Sequence, residues 1–111
     1  GEHQMGLLGW TGDNGDPDNF LAVLFDGMAS SAIRTQWQNQ AYHELMEQGR
    51  QTTDQAKRAE IYKKANLLLY EEMAVIPIAH STVTWPMQKK VMDFKLHPTA
   101  SIRMKNVWLE K

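Results

Sequence analysis

The first residues that could bind a ligand form an acidic cluster near the start of the chain. Residues 9–20 read GWTGDNGDPDNF and contain three carboxylates, Asp13, Asp16 and Asp18, between two apolar runs. Asp16 precedes Pro17, which is typical of a helix start with Asp16 as the N-cap and Pro17 as the first helical residue. Asp18 then falls in the first turn, so backbone N–H groups offset both of these charges. Asp13 has no such local role.

Asp13 also follows an apolar run, Met5–Trp10, that predicts a short buried strand. Open α/β sheets bind ligands at the carboxyl ends of their strands. Three carboxylates outweigh the partial positive charge of a helix N-terminus, so the sequence predicts a site for a cation. A simpler alternative stays open, because Gly, Asp and Asn are turn formers and Asn14-Gly15 alone suits a type I′ hairpin.

An ammonium group is the cation that fits the cluster best. An EF-hand calcium loop needs a bidentate glutamate at its twelfth position, and counting from Asp13 or Asp16 that position holds Leu24 or Gly27. A single carboxylate with neighbouring backbone carbonyls can accept the three donors of –NH3+. Trp10 would add an aromatic wall beside it.

Composition and motif content argue against most other functions. A net charge of −1 with scattered lysines and arginines disfavours nucleic acid. The absence of cysteine excludes disulfides and thiolate metal sites, and no apolar stretch approaches the ~20 residues of a membrane span. The histidines are too widely spaced for a zinc motif, and neither a GxSxG elbow nor a glycine-rich phosphate loop occurs. We therefore predict no catalytic residue, no metal site and no cofactor.

Hydrophobic periodicity predicts three helices after the first strand. They are expected over residues 17–26, 41–49 and 54–73. Gly49 is expected to end the second helix, and residues 27–38 are expected to form a loop. Four later segments predict strands because they are rich in β-branched or aromatic residues or alternate apolar with polar ones: VIPIAHS, TVTW, VMDFKL and KNVWLE. The order of one strand, three helices and several strands predicts an α/β or α+β fold.

The first strand of this order lacks a neighbour in sequence. Some sixty residues separate Met5–Trp10 from the next predicted strand, and a strand is stable only when another element covers it. This pattern predicts that the chain is the end of something longer.

Two long motifs carry a resemblance to a known family. GWTGDNGDPDNFLAVLF is followed by DQAKRAEIYKKANLLLYEEMAVIPIAHSTVTWP, and together they resemble the C-terminal region of the dipeptide-binding proteins of bacterial ABC importers, in the peptide/nickel solute-binding family. The resemblance covers essentially the whole chain. It combines the Asp-rich strand–helix junction, an R-x-x-x-Y-x-x-A helix (Arg58, Tyr62, Ala65) and an I-P-I strand.

The resemblance implies specific roles for the acidic cluster. Asp13 matches the aspartate that holds the α-ammonium of a bound peptide, and Trp10, Thr11 and Gly12 match the strand end that lines the peptide. The family's fold has two lobes joined by a hinge. Residues 1–81 would then be part of the C-terminal ligand-binding lobe, and residues 82–111 would contain the strands that return towards the first lobe.

The resemblance also implies partners and a location. The partners would be a short peptide, a membrane permease and the missing N-terminal lobe, with self-association as a way to cover unpaired strands. The location would be periplasmic or otherwise extracytoplasmic. Three alternatives stay open: a structural fragment without binding of its own, a family member that carries haem, glutathione or nickel, and, least supported, a hydrolase using Asp13 or Asp16.

Overall fold

The computed structural model describes residues 4–29 and 36–111 of the chain. They contain three helices and one two-stranded sheet. The elements are α1 (Pro17–Phe25), α2 (Gln40–Gln51), α3 (Gln55–Glu71), β1 (Val91–Met92) and β2 (Trp108–Leu109). The three predicted helices are confirmed, and the architecture is mixed α and β with helices dominant.

Each helix begins at a side-chain cap that is visible in the sequence. The carboxylate of Asp16 accepts a hydrogen bond from the backbone N–H of Asp18 at 2.9 Å, and the side chains of Asn39 and Asp54 cap α2 and α3 in the same way. These bonds satisfy backbone donors that the first turn of a helix leaves unpaired.

The predicted end of α2 at Gly49 is wrong. Gly49 lies inside α2, which continues to Gln51, and the ring of Tyr62 on α3 packs against Gly49. A Cβ at Gly49 would lie 2.9 Å from Tyr62 Cζ. The glycine therefore allows α2 and α3 to approach each other closely rather than ending the helix.

The hydrophobic core lies between the three helices. Tyr42 and Met46 on α2 are fully buried and meet α1 and α3. The hydroxyl of Tyr42 donates a hydrogen bond to the backbone carbonyl of Leu21 at 2.9 Å, which satisfies this buried polar group. The other buried apolar residues are Ala22, Tyr62, Ala65 and Leu69.

Most of the predicted strands are wrong in this structure. Met5–Trp10, VIPIAHS and TVTW form no strand, and VMDFKL and KNVWLE contribute only β1 and β2, which pair antiparallel with Val91 opposite Leu109. The physical reason is the lack of partners, since a strand exists only through hydrogen bonds to a neighbour. Met5 and Leu7 are 88% and 85% exposed, so the described residues supply nothing that covers the first segment.

The loop predicted at residues 27–38 is only partly described. Residues 27–29 form a turn and residues 36–38 have no regular structure, which agrees with the prediction at both ends. Residues 30–35 lie outside the described residues.

The segments on either side of the three helices extend away from them. The radius of gyration is 18.2 Å, whereas a compact domain of this length has about 13 Å. Ile76 and Ile78 are more than 70% exposed, although their sequence is that of a core strand. The helical part is packed, and the flanking segments expose apolar surface.

Arg58 on α3 connects the three helices. Its Nη1 and Nη2 atoms each donate to one carboxylate oxygen of Asp16 at 2.8 Å, and its Nε donates to the backbone carbonyl of Gly49 at 2.9 Å. Nη2 also donates to the hydroxyl of Tyr62, and the guanidinium lies 4.9 Å from the centre of that ring. The N-terminus of α1 and the last turn of α2 are thus held by one side chain of α3.

The Asp16–Arg58 pair should contribute measurably to stability. Asp16→Asn retains a cap acceptor but loses the charge, and Arg58→Met retains most of the alkyl chain. In a double-mutant cycle followed by urea denaturation we expect a coupling free energy of about 1–2 kcal/mol, because the pair is bidentate and only partly exposed. Lys63→Met with Glu60→Gln, an exposed pair on α3, is the control and should couple by less than about 0.5 kcal/mol. Equal coupling in both pairs would contradict the role given to Arg58.

The same pair predicts a dependence of stability on pH. The hydrogen bond from Arg58 holds the pKa of Asp16 below its ordinary value, so the folded state favours the ionised carboxylate. This contribution is complete above the unfolded pKa of about 3.9 and is lost as the pH falls towards the lower folded pKa. Between about pH 5 and pH 2, the free energy of unfolding should fall more steeply for the wild type than for Asp16→Asn. If the free energy of unfolding fell equally with pH in both proteins, Arg58 would not stabilise the ionised carboxylate of Asp16.

Candidate functional site

Local hydrogen bonds shape the acidic loop, residues 13–16, which leads into α1. The side-chain oxygen of Asn14 accepts from the backbone N–H of Asp16 at 2.9 Å, and Gly15 has a φ of +74°, in the left-handed region that favours glycine. The turn alternative therefore accounts for Asn14 and Gly15. It does not account for Asp13, whose carboxylate takes no part in this turn.

Asn19, in the first turn of α1, connects the residues on which the predicted site rests. Its Oδ1 accepts hydrogen bonds from Nε1 of Trp10 at 3.1 Å and from the backbone N–H of Asp13 at 2.9 Å. Its Nδ2 donates to Oδ2 of Asp13 at 3.1 Å. The expectation that Asp13 has no local partner is thus wrong: the partner is a neutral amide six residues later in the chain.

The three carboxylates of the cluster differ in how they are neutralised. Asp16 pairs with Arg58, and Asp18 pairs with Arg50, whose Nε lies 3.0 Å from Oδ1 of Asp18. Within the described ranges, no cationic side chain forms an ion pair with Asp13. Asp13 is exposed and has a neutral partner, so of the three carboxylates it is the one that no described cation neutralises.

A crevice of about 290 Å³ lies next to Asp13. Its walls are formed by residues 9–12, by one side chain of α1, by the segment after α3 and by one proline from the last part of the chain. The lining residues are Gly9, Trp10, Thr11, Gly12, Phe20, Ala79, His80, Ser81, Val83 and Pro98. Three of the four residues predicted to bind ligand, Trp10, Thr11 and Gly12, lie in the crevice wall, whereas Asp13 is the next residue in the chain and does not line it.

Another surface concavity lies on the outer side of α3, with a volume of about 450 Å³. Alanine, isoleucine and the stems of lysines line much of it, and Thr52 and Glu60 are also in its wall. None of the predicted site residues lies there. We therefore take the crevice beside Asp13 as the candidate site.

Neither a metal site nor a membrane-spanning helix occurs among the described residues. They contain no group of three or more His, Cys, Asp or Glu side chains placed to hold a metal ion. None of their helices is both long enough and apolar enough to cross a membrane.

Sequence reasoning missed the side chains that hold the site in place. Asn19 reads as one more polar residue at a helix start, and Arg50 and Arg58 read as helix surface residues. Only Arg58 carried a signal, since it belongs to the R-x-x-x-Y-x-x-A pattern, and the structure shows Arg58 and Tyr62 in direct contact.

Gly12 should be sensitive to substitution because Phe20 covers it. Gly12 is buried, and a Cβ added there would lie 2.6 Å from two atoms of the Phe20 ring. We expect Gly12→Ala to lower the free energy of unfolding by about 1–3 kcal/mol as the ring is displaced. Gly9→Ala is the matched control, since a Cβ at Gly9 meets nothing within 4 Å. Equal stability of the two variants in urea denaturation would contradict this packing.

Comparisons with known proteins agree with the resemblance that the sequence carries. No family model matches the chain. The chain is 48% identical over 100 residues to di/tripeptide-binding protein 3 of Pseudomonas aeruginosa, covering 88% of this chain and 19% of that protein. It is 40% identical over 112 residues to the dipeptide-binding protein of Escherichia coli, covering 99% and 21%. It is 32% identical over 99 residues to heme-binding protein A of Haemophilus influenzae, covering 88% and 18%.

These relatives are much longer than the chain. The chain spans about a fifth of their length, while the matches cover nearly all of the chain itself. The chain is therefore homologous to the dipeptide-binding proteins of the ABC-importer solute-binding family and matches their C-terminal region.

Proposed function

We propose that this chain is the C-terminal part of a peptide-binding protein of an ABC importer, and that Asp13 binds the α-ammonium group of a short peptide. The observation that carries the proposal is the difference in partners among the three carboxylates of the acidic cluster. Asp16 and Asp18 are each paired with an arginine, whereas among the described residues Asp13 contacts a neutral amide and no cation, and it directly follows the crevice-lining Gly12 in the chain.

The chemistry of the crevice suits the N-terminus of a peptide. An ammonium group brings three donors. The carboxylate of Asp13 offers Oδ1 and the remaining lone pair of Oδ2, and backbone carbonyls of the wall can accept the other donors. Trp10 and Phe20 supply apolar surface for the first side chain of the ligand, and both remain more than a third exposed. A site that binds the ammonium and the backbone of a peptide accepts many different side chains in that peptide.

The exposed apolar segments support a further part of the proposal. Residues 76–87 and 96–109 include many large apolar side chains that are about 40–75% exposed, which is more apolar surface than a monomeric domain normally shows. We propose that the N-terminal lobe of the complete protein covers them, with residues 1–81 in the C-terminal lobe and residues 82–111 returning towards the first lobe. Self-association would cover the same surface in the isolated chain.

The remaining partners and the location belong to the same proposal. A peptide-binding protein of an importer delivers its ligand to a membrane permease and works outside the cytoplasm. We propose both for the complete protein. Because the relatives are named for binding rather than for catalysis, the proposal includes no enzymatic step.

Haem is a second candidate ligand, favoured by one relative that is named a heme-binding protein. Haem and dipeptide differ in the group that Asp13 would meet, since haem carries carboxylates and has no ammonium. A peptide that competes with haem, and whose binding depends on Asp13, would decide for the peptide. Haem binding that is unchanged in Asp13→Asn and not displaced by peptide would decide for haem.

Replacement of Asp13 should cost most of the affinity for peptides. The measurement is calorimetry with dipeptides on the complete protein, or on a chimera in which this chain replaces the matching segment of the Pseudomonas aeruginosa relative. We expect Asp13→Ala to lose about 2–5 kcal/mol of binding free energy, because the ammonium is left without its counter-charge. Glu60→Gln removes a carboxylate on the outer side of α3, in the wall of the other concavity, and it should change affinity by less than about 0.5 kcal/mol. Equal affinities of wild type and Asp13→Ala would refute the assignment.

Blocking the ligand should reproduce the effect of the mutation. Acetylation of the peptide N-terminus removes the ammonium charge, so wild-type protein should lose as much affinity as Asp13→Ala loses for the free peptide. The two changes should not add, because both remove one ion pair. An acetylated peptide that binds the wild type normally would show that Asp13 reads another group.

A further inference from the structure

We infer that Asn19 is a positioning residue of the peptide site, which fixes the Trp10 indole and the Asp13 carboxylate in the geometry that a ligand meets. The inference rests on the proposed function and deepens it. Asn19 does not line the crevice; it acts through two residues that lie at the crevice or at its edge.

The amide of Asn19 is held in one orientation by its partners. Two N–H donors, Nε1 of Trp10 and the backbone N–H of Asp13, point to the same oxygen, while the carboxylate of Asp13 accepts from the nitrogen. Rotating the amide by 180° would bring its –NH2 group against both donors and its oxygen against the carboxylate. Both contacts would be repulsive, so the three hydrogen bonds define the orientation of the amide and of the groups that it holds.

The backbone that carries Asn19 is itself anchored. Asn19 is the third residue of α1, and its backbone N–H donates to the carbonyl of Asp16 at 3.1 Å. The residues before it, Asp16 and Asp18, are paired with Arg58 on α3 and Arg50 on α2. The loop that contains Asp13 is therefore connected through the amide of Asn19 to a helix that two arginines hold. A site positioned in this way keeps its geometry before the ligand arrives.

An amide suits this position better than a charged side chain. A lysine or arginine would neutralise Asp13 and compete with the ammonium of the ligand. An aspartate would retain the two acceptor contacts but place a second negative charge about 3 Å from Asp13, and two carboxylates at that distance share a proton. The amide supplies a donor to Asp13 without changing the net charge of the site.

The experiment compares three variants of the complete protein or of the chimera described above. Asn19→Ala removes all three hydrogen bonds, and Asn19→Asp retains the acceptor for Trp10 and for the Asp13 backbone. Asn14→Ala is the matched control, because Asn14 forms a turn in the same loop through the Asp16 backbone and contacts neither Trp10 nor the Asp13 side chain. The readouts are the indole ¹⁵N–¹H resonance assigned to Trp10, its hydrogen-exchange protection, and dipeptide affinity by calorimetry between pH 5 and pH 7.5.

The expected results separate positioning from general stability. Asn19→Ala should remove the exchange protection of the Trp10 indole and weaken dipeptide binding about tenfold, as for the loss of a hydrogen bond to a charged group. Asn19→Asp should keep the indole protected but bind more weakly as the pH falls from 7.5 to 5, measured relative to the wild type because His80 lies in the crevice wall of both proteins. Asn14→Ala should leave the indole resonance and the affinity within twofold of the wild type.

Two sets of results would overturn the inference, and they are distinguishable from failure of the proposed function. If Asp13→Ala abolishes dipeptide binding while both Asn19 variants bind like the wild type at every pH, the ammonium site stands and Asn19 does not position it. The same conclusion follows if the Trp10 indole stays protected in Asn19→Ala. If Asp13→Ala binds dipeptide as well as the wild type, or if the wild type binds none, the proposed function fails and the inference fails with it.

Discussion

The arrangement of the three helices depends on the guanidinium group of Arg58. Its donors contact the N-cap of α1, the last turn of α2 and the Tyr62 hydroxyl of its own helix. Since the pair with Asp16 is bidentate and Arg58 is about three-quarters buried, the guanidinium fixes distance and orientation together.

A second polar contact holds the other end of α1. Asp26, the C-cap, is 3% exposed, and its carboxylate lies 3.0 Å from Nδ1 of His43 on α2. The same carboxylate accepts backbone hydrogen bonds from Met28 and Ala29, so this buried charge is satisfied. With Arg58 at one end and Asp26 at the other, the nine residues of α1 are fixed along their whole length although only Ala22 is fully buried. A short helix with so small a core needs polar contacts of this kind.

The sequence predicted the elements whose signals are local and missed those that depend on distant residues. The cap at Asp16 and the periodicity that predicts the three helices can be read within a few turns, and these features agree with the structure. The strand at Met5–Trp10 could not be judged in this way, because its stability depends on a neighbour that the described residues lack. Arg58 and Asp16 are 42 residues apart, and no periodicity links such a pair. For the candidate site, composition and position led to Asp13, but its partner Asn19 could not be singled out among the other turn and cap residues of the loop.

Two carboxylates of the acidic cluster form ion pairs and the third does not. This arrangement allows a protein to keep one unpaired charge without losing stability. A carboxylate that is left unpaired in a buried place costs several kcal/mol, whereas an exposed one with a neutral hydrogen-bond donor costs little. Asp13 is of the second kind: it is exposed, and Asn19 donates a hydrogen bond to one of its oxygens. Asp16 and Asp18 connect the helices through ion pairs with Arg58 and Arg50, and the charge of Asp13 takes part in neither pair. Because of this separation, the ligand-binding role that we propose for Asp13 would not compete with the contacts that hold α1 in place.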